Sequence, residues 1–233
     1  MNINSDASEL EKFESLGQNW WNRHGEFKAL HDINPLRLCF IQKYAQLTGK
    51  NIIDVGCGGG ILAESLAQLG AKVTGIDLSQ TSLATAQTHA QQTQLTINYQ
   101  CIAAEAMAQQ HPQQFDTVTC MELLEHVPNP AALIQACATL LKPHGEAFFS
   151  TLNRNAKSYL HAILGAEYIL KLVPKGTHNF AKFIRPSELD SWARTANLEL
   201  QAMTGIAYNP FTQQYKLTNN VSVNYLVYCQ KIL

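Results

Sequence analysis

Two carboxylates and an imidazole lie close together in the middle of the chain, within residues 120–128. Glu122, Glu125 and His126 are three and four residues apart, so on a helical turn their side chains would share one face. Two carboxylates and an imidazole could bind a divalent cation such as Mg²⁺. Alternatively, His126 could act as a general base made more basic by a neighbouring glutamate. A third hypothesis is that His126 only fixes the turn by hydrogen bonding.

A second group of residues suited to chemistry surrounds a glycine-rich loop. Asp54 lies near the end of the apolar run 51–55, and residues 56–60 follow as Gly-Cys-Gly-Gly-Gly. Glycines permit a tight turn and close approach of the backbone to a ligand. The helix predicted from residue 61 would point its first N–H groups at that ligand. Asp77 ends the next apolar run, so the pattern predicts a nucleotide-binding βαβ unit.

The loop differs from the one that binds dinucleotides, which has the spacing G-x-G-x-x-G. Asp54 would repel a pyrophosphate, whereas it suits a cation such as the ammonium group of an amino acid. A cofactor that needs both an ammonium partner and recognition of a ribose is S-adenosylmethionine. We therefore expect Asp54, Gly56 and Gly58 to contact this cofactor.

The composition excludes several classes of protein. The chain has 233 residues, of which 46% are hydrophobic and 15% charged, with a formal net charge of -1. It has no overall basic field, so nucleic-acid binding is disfavoured. The polar N-terminus lacks the features of a signal peptide, and no apolar stretch approaches the ~20 residues of a spanning helix. We expect a cytoplasmic protein whose six scattered cysteines are reduced.

Strands and helices alternate from residue 51 onwards. Strands are predicted at 51–55, 72–76, 97–102, 115–121 and 146–151, with helices at 61–69, 80–92 and 131–141. This alternation is typical of a parallel sheet with helices on both faces. Residues 198–204 and 221–230 are predicted to close the sheet as a C-terminal antiparallel hairpin, giving seven strands.

The other segments flank or interrupt this unit. Residues 1–48 are predicted to form a helical cap that contains Trp20 and Trp21, with its second helix starting at Asn34-Pro35. Residues 155–185 are predicted to be an insertion that serves as a lid, as a membrane contact, or as both. The whole chain, 1–233, is expected to be a single domain.

These motifs resemble those of class I S-adenosylmethionine-dependent methyltransferases. Residues 54–60 are similar to the family's first motif, and residues 73–77 are similar to its second strand. The resemblance implies a Rossmann-like α/β fold and a role for Asp77 in holding both ribose hydroxyls. The third predicted strand lacks the acid that often touches adenine, and Glu105 comes late. Adenine contacts are therefore expected from the backbone around Ala104.

A more specific resemblance, to the ubiquinone-biosynthesis O-methyltransferase family, runs through nearly the whole chain. It rests on Trp20-Trp21 and on residues 30–37, 54–62, 121–128, 150–154 and 176–178. It implies methylation of polyprenylated catechols at two steps, with 2-polyprenyl-6-hydroxyphenol and 3-demethylubiquinol as substrates. The residues it assigns to the cofactor are Arg37, Gly56, Asp77 and Met121. It also implies a divalent-metal cluster of Glu122, Glu125 and His126, and His126 and Glu122 are the candidate catalytic residues.

Alternatives to this function remain open from the sequence. The chain could methylate a soluble small phenol or acid, or it could be a non-catalytic cofactor-binding scaffold of a quinone-synthesis complex. Residues 159–173 are mostly apolar and have basic flanks. A segment that lies at the surface of an anionic membrane needs both features. The basic residues are Arg154, Lys157, Lys171, Lys175, Lys182 and Arg185. We therefore expect peripheral association with the inner face of the membrane.

Overall fold

The computed structural model describes residues 4–155 and 180–232. Its helices are α1 (Ala7–Leu16), α2 (Lys28–Tyr44), α3 (Ile61–Gln68), α4 (Gln80–Gln92), α5 (Ala104–Gln110), α6 (Pro130–Leu140) and α7 (Pro186–Thr195). Its strands are β1 (Asn51–Val55), β2 (Lys72–Asp77), β3 (Ile97–Cys101), β4 (Phe115–Met121), β5 (Leu141–Leu152), β6 (Leu198–Asn209), β7 (Gln214–Thr218) and β8 (Asn224–Lys231). Short 3₁₀ turns lie at Leu124–His126 and Phe180–Lys182. Most of the predicted insertion 155–185, including its apolar residues 159–173, and the motif residues 176–178 lie outside the described residues.

The strands form one sheet in the order β3-β2-β1-β4-β5-β8-β6-β7. The first five in this order are parallel, and β8, β6 and β7 join antiparallel. The mostly parallel sheet and its antiparallel C-terminal strands confirm the predicted fold. The strand order reverses between β1 and β4, and sheets of this kind bind ligands beyond the carboxyl ends of the strands at such a point.

The described part of the sheet has eight strands rather than the predicted seven. The extra strand arises because β6 continues to Asn209 and reverses into β7, where the sequence predicted a loop. The side chain of Asn209 accepts hydrogen bonds from the backbone N–H groups of Phe211 at 2.9 Å and Thr212 at 3.3 Å. This Asx turn supplies the reversal that closes a tight hairpin.

Helices cover both faces of the sheet, as predicted. Ile52 and Ile53 are both fully buried, but they belong to different hydrophobic clusters. Successive strand residues point to opposite faces, so each isoleucine packs under a different set of helices. One cluster draws on α5, α6 and α7, and the other on α2, α3 and α4.

The predicted start of the second helix at Asn34-Pro35 was wrong. Helix α2 begins at Lys28 and passes through Pro35 without ending. A proline inside a helix removes one backbone hydrogen bond and usually breaks or kinks it. Here Ile33 and Ile41 on either side of Pro35 are buried against the sheet, and such packing contributes most of a helix's stability in a protein.

Candidate active site

A cavity of about 270 Å³ opens at the carboxyl ends of β1, β2 and β4. The sheet and the glycine loop form one wall, and α1 with the segment after it forms another. The structure brings every predicted site residue to this cavity: Arg37, Asp54, Gly56, Gly58, Asp77, Met121, Glu122, Glu125 and His126. Ala103, Ala104 and Glu105, which flank the expected adenine position, also line it.

Three glycines of the loop have backbone angles that residues with a side chain rarely adopt. Gly56, Gly58 and Gly60 have φ angles of +72°, +50° and +83°, in the left-handed region. A Cβ atom at Gly58 would lie 2.4 Å from the ring of Trp20, and one at Gly59 would lie 2.2 Å from it. The indole of Trp20, in the N-terminal segment, therefore packs closely against the loop at these two glycines.

Asp77 is held at the mouth of the loop by two backbone donors. Gly58 N donates to its Oδ2 at 2.9 Å, and Ser79 N donates to its Oδ1 at 2.8 Å. Burial raises the pKa of Asp77, while these N–H groups act in the opposite direction. Each carboxylate oxygen has a further lone pair, so both can still accept a hydroxyl hydrogen.

Asp54 lies deeper, with only 3% of its surface exposed. Thr119 Oγ1 donates to Asp54 Oδ1 at 2.7 Å. Burial raises the pKa of Asp54 to about 7, although the Thr119 hydrogen bond and the positive charge of Arg37 oppose the shift. An ammonium group entering the cavity would favour the ionised carboxylate.

Arg37 presents an unusual surplus of hydrogen-bond donors. It is only 5% exposed, and its Nε and Nη2 atoms make no hydrogen bond with the residues that the structure describes. Glu122 Oε1 lies 3.3 Å from Nη2, close enough for an ion pair. A buried guanidinium whose donors lack hydrogen-bond partners suits a carboxylate ligand. Arg37, Asp54 and Asp77 together fit the carboxylate, ammonium and ribose groups of S-adenosylmethionine.

The sequence predicted that Glu122, Glu125 and His126 share one face of a helical turn, but the loop after β4 does not form such a turn. Glu122 has a φ of +53°, and only a short 3₁₀ turn follows, so no regular helical turn aligns the three side chains. Each meets a different partner: Ser150 Oγ donates to Glu122 Oε1 at 2.8 Å, and Thr151 Oγ1 donates to Glu125 Oε2 at 2.7 Å.

This arrangement does not fit the expected Mg²⁺ site. Glu125 is 4% exposed, its Oε2 already accepts a hydrogen bond from Thr151, and burial together with the charge of Glu122 raises its pKa to about 7. Within residues 4–155 and 180–232, no group of three histidine, cysteine or acidic side chains is placed to hold a metal ion. We derive no catalytic step through a metal.

His126 faces the N-terminal helix. Its Nδ1 lies 3.0 Å from Glu9 Oε2, and its ring meets the edge of Phe13 with 5.3 Å between centroids. Burial by itself lowers the pKa of His126, but the hydrogen bond with Glu9 and the charges of Glu125 and Glu9 outweigh it and raise the pKa. The sequence analysis missed Glu9, although the two tryptophans marked this segment as a cap.

Comparisons with known proteins identify a methyltransferase. A family model described as "Methyltransferase domain" matches residues 29–202. The ubiquinone biosynthesis O-methyltransferase of Pseudomonas entomophila (strain L48) is 56% identical over 96% of this chain and 97% of its own length. That of Ralstonia nicotianae is 57% identical over 96% of this chain and 94% of its own.

Solved structures show the same fold at low sequence identity. The magnesium protoporphyrin IX methyltransferase from Synechocystis PCC 6803 with bound SAH has a TM-score of 0.67 at 18% identity, covering 96% of this chain and 93% of that one. The same protein with bound SAM has a TM-score of 0.66 at 17% identity, covering 99% and 100%. Because relatives at 56% and 57% identity match 96% of its length, the chain belongs to the ubiquinone biosynthesis O-methyltransferase family.

Proposed function

We propose that this S-adenosylmethionine-dependent O-methyltransferase methylates a catechol hydroxyl of the polyprenylated ubiquinone precursors 2-polyprenyl-6-hydroxyphenol and 3-demethylubiquinol. Residues 1–233 would act as one methyltransferase domain, with residues 1–48 as its cap. The names of relatives at 55–57% identity support the reaction. The observation that carries the cofactor assignment is the buried guanidinium of Arg37, whose free donors face a cavity shared with Asp54 and Asp77.

The residues that would hold the cofactor follow from its charges. Arg37 would bind the carboxylate, Asp54 the ammonium group and Asp77 the two ribose hydroxyls. Gly56 and Met121 would line the bound molecule. When bound, S-adenosylmethionine supplies an electrophilic methyl group on a positively charged sulfur.

A phenol is a weak nucleophile until it loses its proton, and its pKa is ~10. We propose that Nε2 of His126 takes this proton while the phenolic oxygen forms a bond to the methyl carbon. The carbon–sulfur bond of the bound donor would break as this bond forms, and its electron pair would stay on sulfur. Alignment of the reacting atoms in a closed cavity then supplies much of the acceleration. Glu122 is the second catalytic candidate, and its carboxylate is placed to orient Arg37.

Transfer of a labelled methyl group to a short-chain polyprenyl catechol tests this function. We expect labelled product that co-migrates with the mono-O-methylated standard. A complete lack of turnover would contradict the proposal that the protein is an enzyme. Donor binding without turnover would favour the scaffold alternative, and equal turnover of a tail-less phenol would favour a soluble substrate. Activity that survives EDTA would exclude a metal requirement.

Affinity for the methyl donor should depend on pH through Asp54. Its carboxyl must be ionised to pair with the ammonium group, and its pKa is about 7 in the free protein. We therefore expect affinity to fall as pH drops below about 7, by at most about tenfold per unit. Calorimetric titration between pH 5.5 and 8 measures it. An Asp54→Asn variant should bind weakly with a flatter profile, and a flat profile in the unchanged protein would contradict the assignment.

We propose in addition that residues 155–185 approach an anionic membrane surface. The described part of the chain contains no helix long and apolar enough to cross a bilayer. Two of the basic residues expected to face lipid already have acidic partners: Arg154 pairs with Glu188, and Lys182 pairs with Asp6. Any attraction to lipid must therefore come mainly from the other basic residues of the segment.

Co-sedimentation with vesicles tests the membrane proposal. We expect more binding to vesicles with anionic lipid than to purely zwitterionic ones, with the difference decreasing as salt is added. Deletion of residues 159–173 should abolish it. Binding that is unchanged by the deletion would exclude this segment as the membrane contact.

A further inference from the structure

We infer that Glu9 is the positioning residue for His126, so that the catalytic base is complete only when helix α1 covers the cavity. The inference rests on the proposed function, because it assumes that His126 accepts the phenolic proton. It assigns a role to a residue 117 positions away in the sequence, on an element outside the sheet.

The carboxylate of Glu9 is held from two sides. Its Oε2 lies 3.0 Å from His126 Nδ1, and its Oε1 lies 3.4 Å from Lys182 Nζ. Lys182 also donates to Asp6 Oδ2 at 2.9 Å, so one lysine contacts two acids of the same segment. The hydrogen bond with His126 and the nearby positive charges lower the pKa of Glu9. The group facing Nδ1 is therefore an ionised, oriented acceptor.

An acceptor on Nδ1 determines what the other ring nitrogen can do. With the proton on Nδ1 directed at Glu9, the lone pair of a neutral imidazole is on Nε2. Within the described residues, no protein group forms a hydrogen bond with Nε2, and the ring lines the cavity. When Nε2 takes the phenolic proton, the carboxylate of Glu9 stabilises the resulting imidazolium, as an orienting acid does for a catalytic histidine.

The same helix that brings Glu9 also closes the cavity. Leu10, Phe13 and Leu16 line it beside Glu9, and Phe13 meets the imidazole ring edge-on. An apolar wall next to the base excludes water that would otherwise solvate both the ring and the phenolate. The position of α1 over the cavity therefore supplies the orienting carboxylate and excludes solvent together.

Glu14 offers a matched control on the same helix. Its Oε1 accepts from Gln80 N at 2.6 Å and its Oε2 from Thr81 N at 3.2 Å, at the start of α4. Glu14 thus fastens α1 to the body of the protein without contacting His126. Glu9 and Glu14 are the same residue type and each anchors α1, but only Glu9 contacts the imidazole.

Steady-state kinetics on the full chain separate positioning from fastening. For Glu9→Ala we expect kcat to fall about 10- to 100-fold, the usual effect of removing an orienting partner, with KM for the methyl donor changed less than about threefold. For Glu14→Ala we expect a clearly smaller loss of kcat, because α1 loses one anchor but keeps the carboxylate that faces Nδ1. Glu9→Asp should recover part of kcat because it keeps a carboxylate, whereas Glu9→Gln should not, because its amide carries no charge to stabilise the imidazolium and can turn an N–H towards Nδ1. Equal losses of kcat in Glu9→Ala and Glu14→Ala, or full kcat in Glu9→Gln, would overturn the inference.

A spectroscopic measurement tests the same contact without turnover. Long-range ¹H–¹⁵N spectra report which imidazole nitrogen carries the proton, and His126→Asn identifies the signal. At a pH above the pKa of His126 we expect the Nδ1–H form in the unchanged protein and a shift towards Nε2–H in Glu9→Gln and Glu9→Ala. An unchanged tautomer in Glu9→Ala would overturn the inference. An unchanged protein that binds the donor but never methylates the catechol would instead contradict the proposed function.

Discussion

Replacing Arg37 by methionine is expected to weaken binding of S-adenosylmethionine by roughly 100-fold, equivalent to about 3 kcal/mol. The guanidinium is buried, and its Nε and Nη2 atoms have no hydrogen-bond partner among the described residues. A bound carboxylate would supply these missing acceptors in a site that water reaches poorly. Methionine fills a similar volume but offers no donor, so the carboxylate would enter the cavity without its counter-charge.

The same substitution should change the stability of the free protein much less than its affinity for the methyl donor. A buried charge with unsatisfied donors costs folding free energy, but removing one partner of a buried ion pair leaves the other charge unpaired, so the two effects oppose each other. Glu122 loses its ion-pair partner but is partly exposed and keeps its hydrogen bond from Ser150. We expect the free energy of unfolding of free Arg37→Met to change by no more than about 1 kcal/mol. A large loss of ligand binding with a small change in folding stability is the behaviour of a binding residue.

Thermal unfolding with and without the methyl donor measures both quantities together. A ligand stabilises the protein that binds it by RT ln(1 + [L]/Kd), so at a concentration of about 100 Kd for the unchanged protein the rise in Tm should largely disappear in Arg37→Met. Arg154→Met is the control, because Arg154 pairs with Glu188 and does not line the cavity. Its ligand-dependent rise in Tm should match that of the unchanged protein. An undiminished rise in Arg37→Met would exclude Arg37 as the carboxylate receptor.

The central part of the fold follows from local sequence patterns, whereas its edges depend on distant contacts. Buried parallel strands are apolar on both faces, so β1 and β4 are recognisable from composition alone. The passage of α2 through Pro35 is not, because local rules end or kink a helix there. That local preference is outweighed by the packing of the helix against strands that lie far away in the sequence.

The candidate site divides in the same way. Asp54, Gly56 and Asp77 come from one βαβ unit whose spacing fixes their relative positions, so the sequence could place them together. The conformation of the loop after β4 depends on the positive φ of Glu122. A glutamate rarely adopts this φ, and no local sequence pattern predicts it. Glu9 reaches His126 across the fold, and no pairwise signal in a single sequence links two such distant positions.

Replacing His126 by asparagine should lower kcat by about 10²- to 10⁴-fold, the usual contribution of a general base. Asparagine can still form a hydrogen bond with Glu9, so the α1 contact survives while the basic nitrogen is lost. The base must be neutral, and the pKa of His126 lies above its ordinary value. The kcat of the unchanged protein should therefore rise with pH through that pKa and level off above it, and the asparagine variant should lose this dependence.

A second histidine–glutamate pair serves as the control for this prediction. His89 Nδ1 lies 2.7 Å from Glu64 Oε1 and its ring stacks on Trp21, but it does not line the active-site cavity. His89→Asn removes an equivalent pair and should leave kcat and its pH profile unchanged, whatever it costs in stability. If His126→Asn keeps kcat within about threefold, the imidazole only fixes the turn. A large loss of kcat with an unchanged affinity for the methyl donor separates base catalysis from that structural role. Loss of a merely structural histidine would disturb the loop that carries Glu122, the ion-pair partner of Arg37, and would therefore weaken donor binding as well.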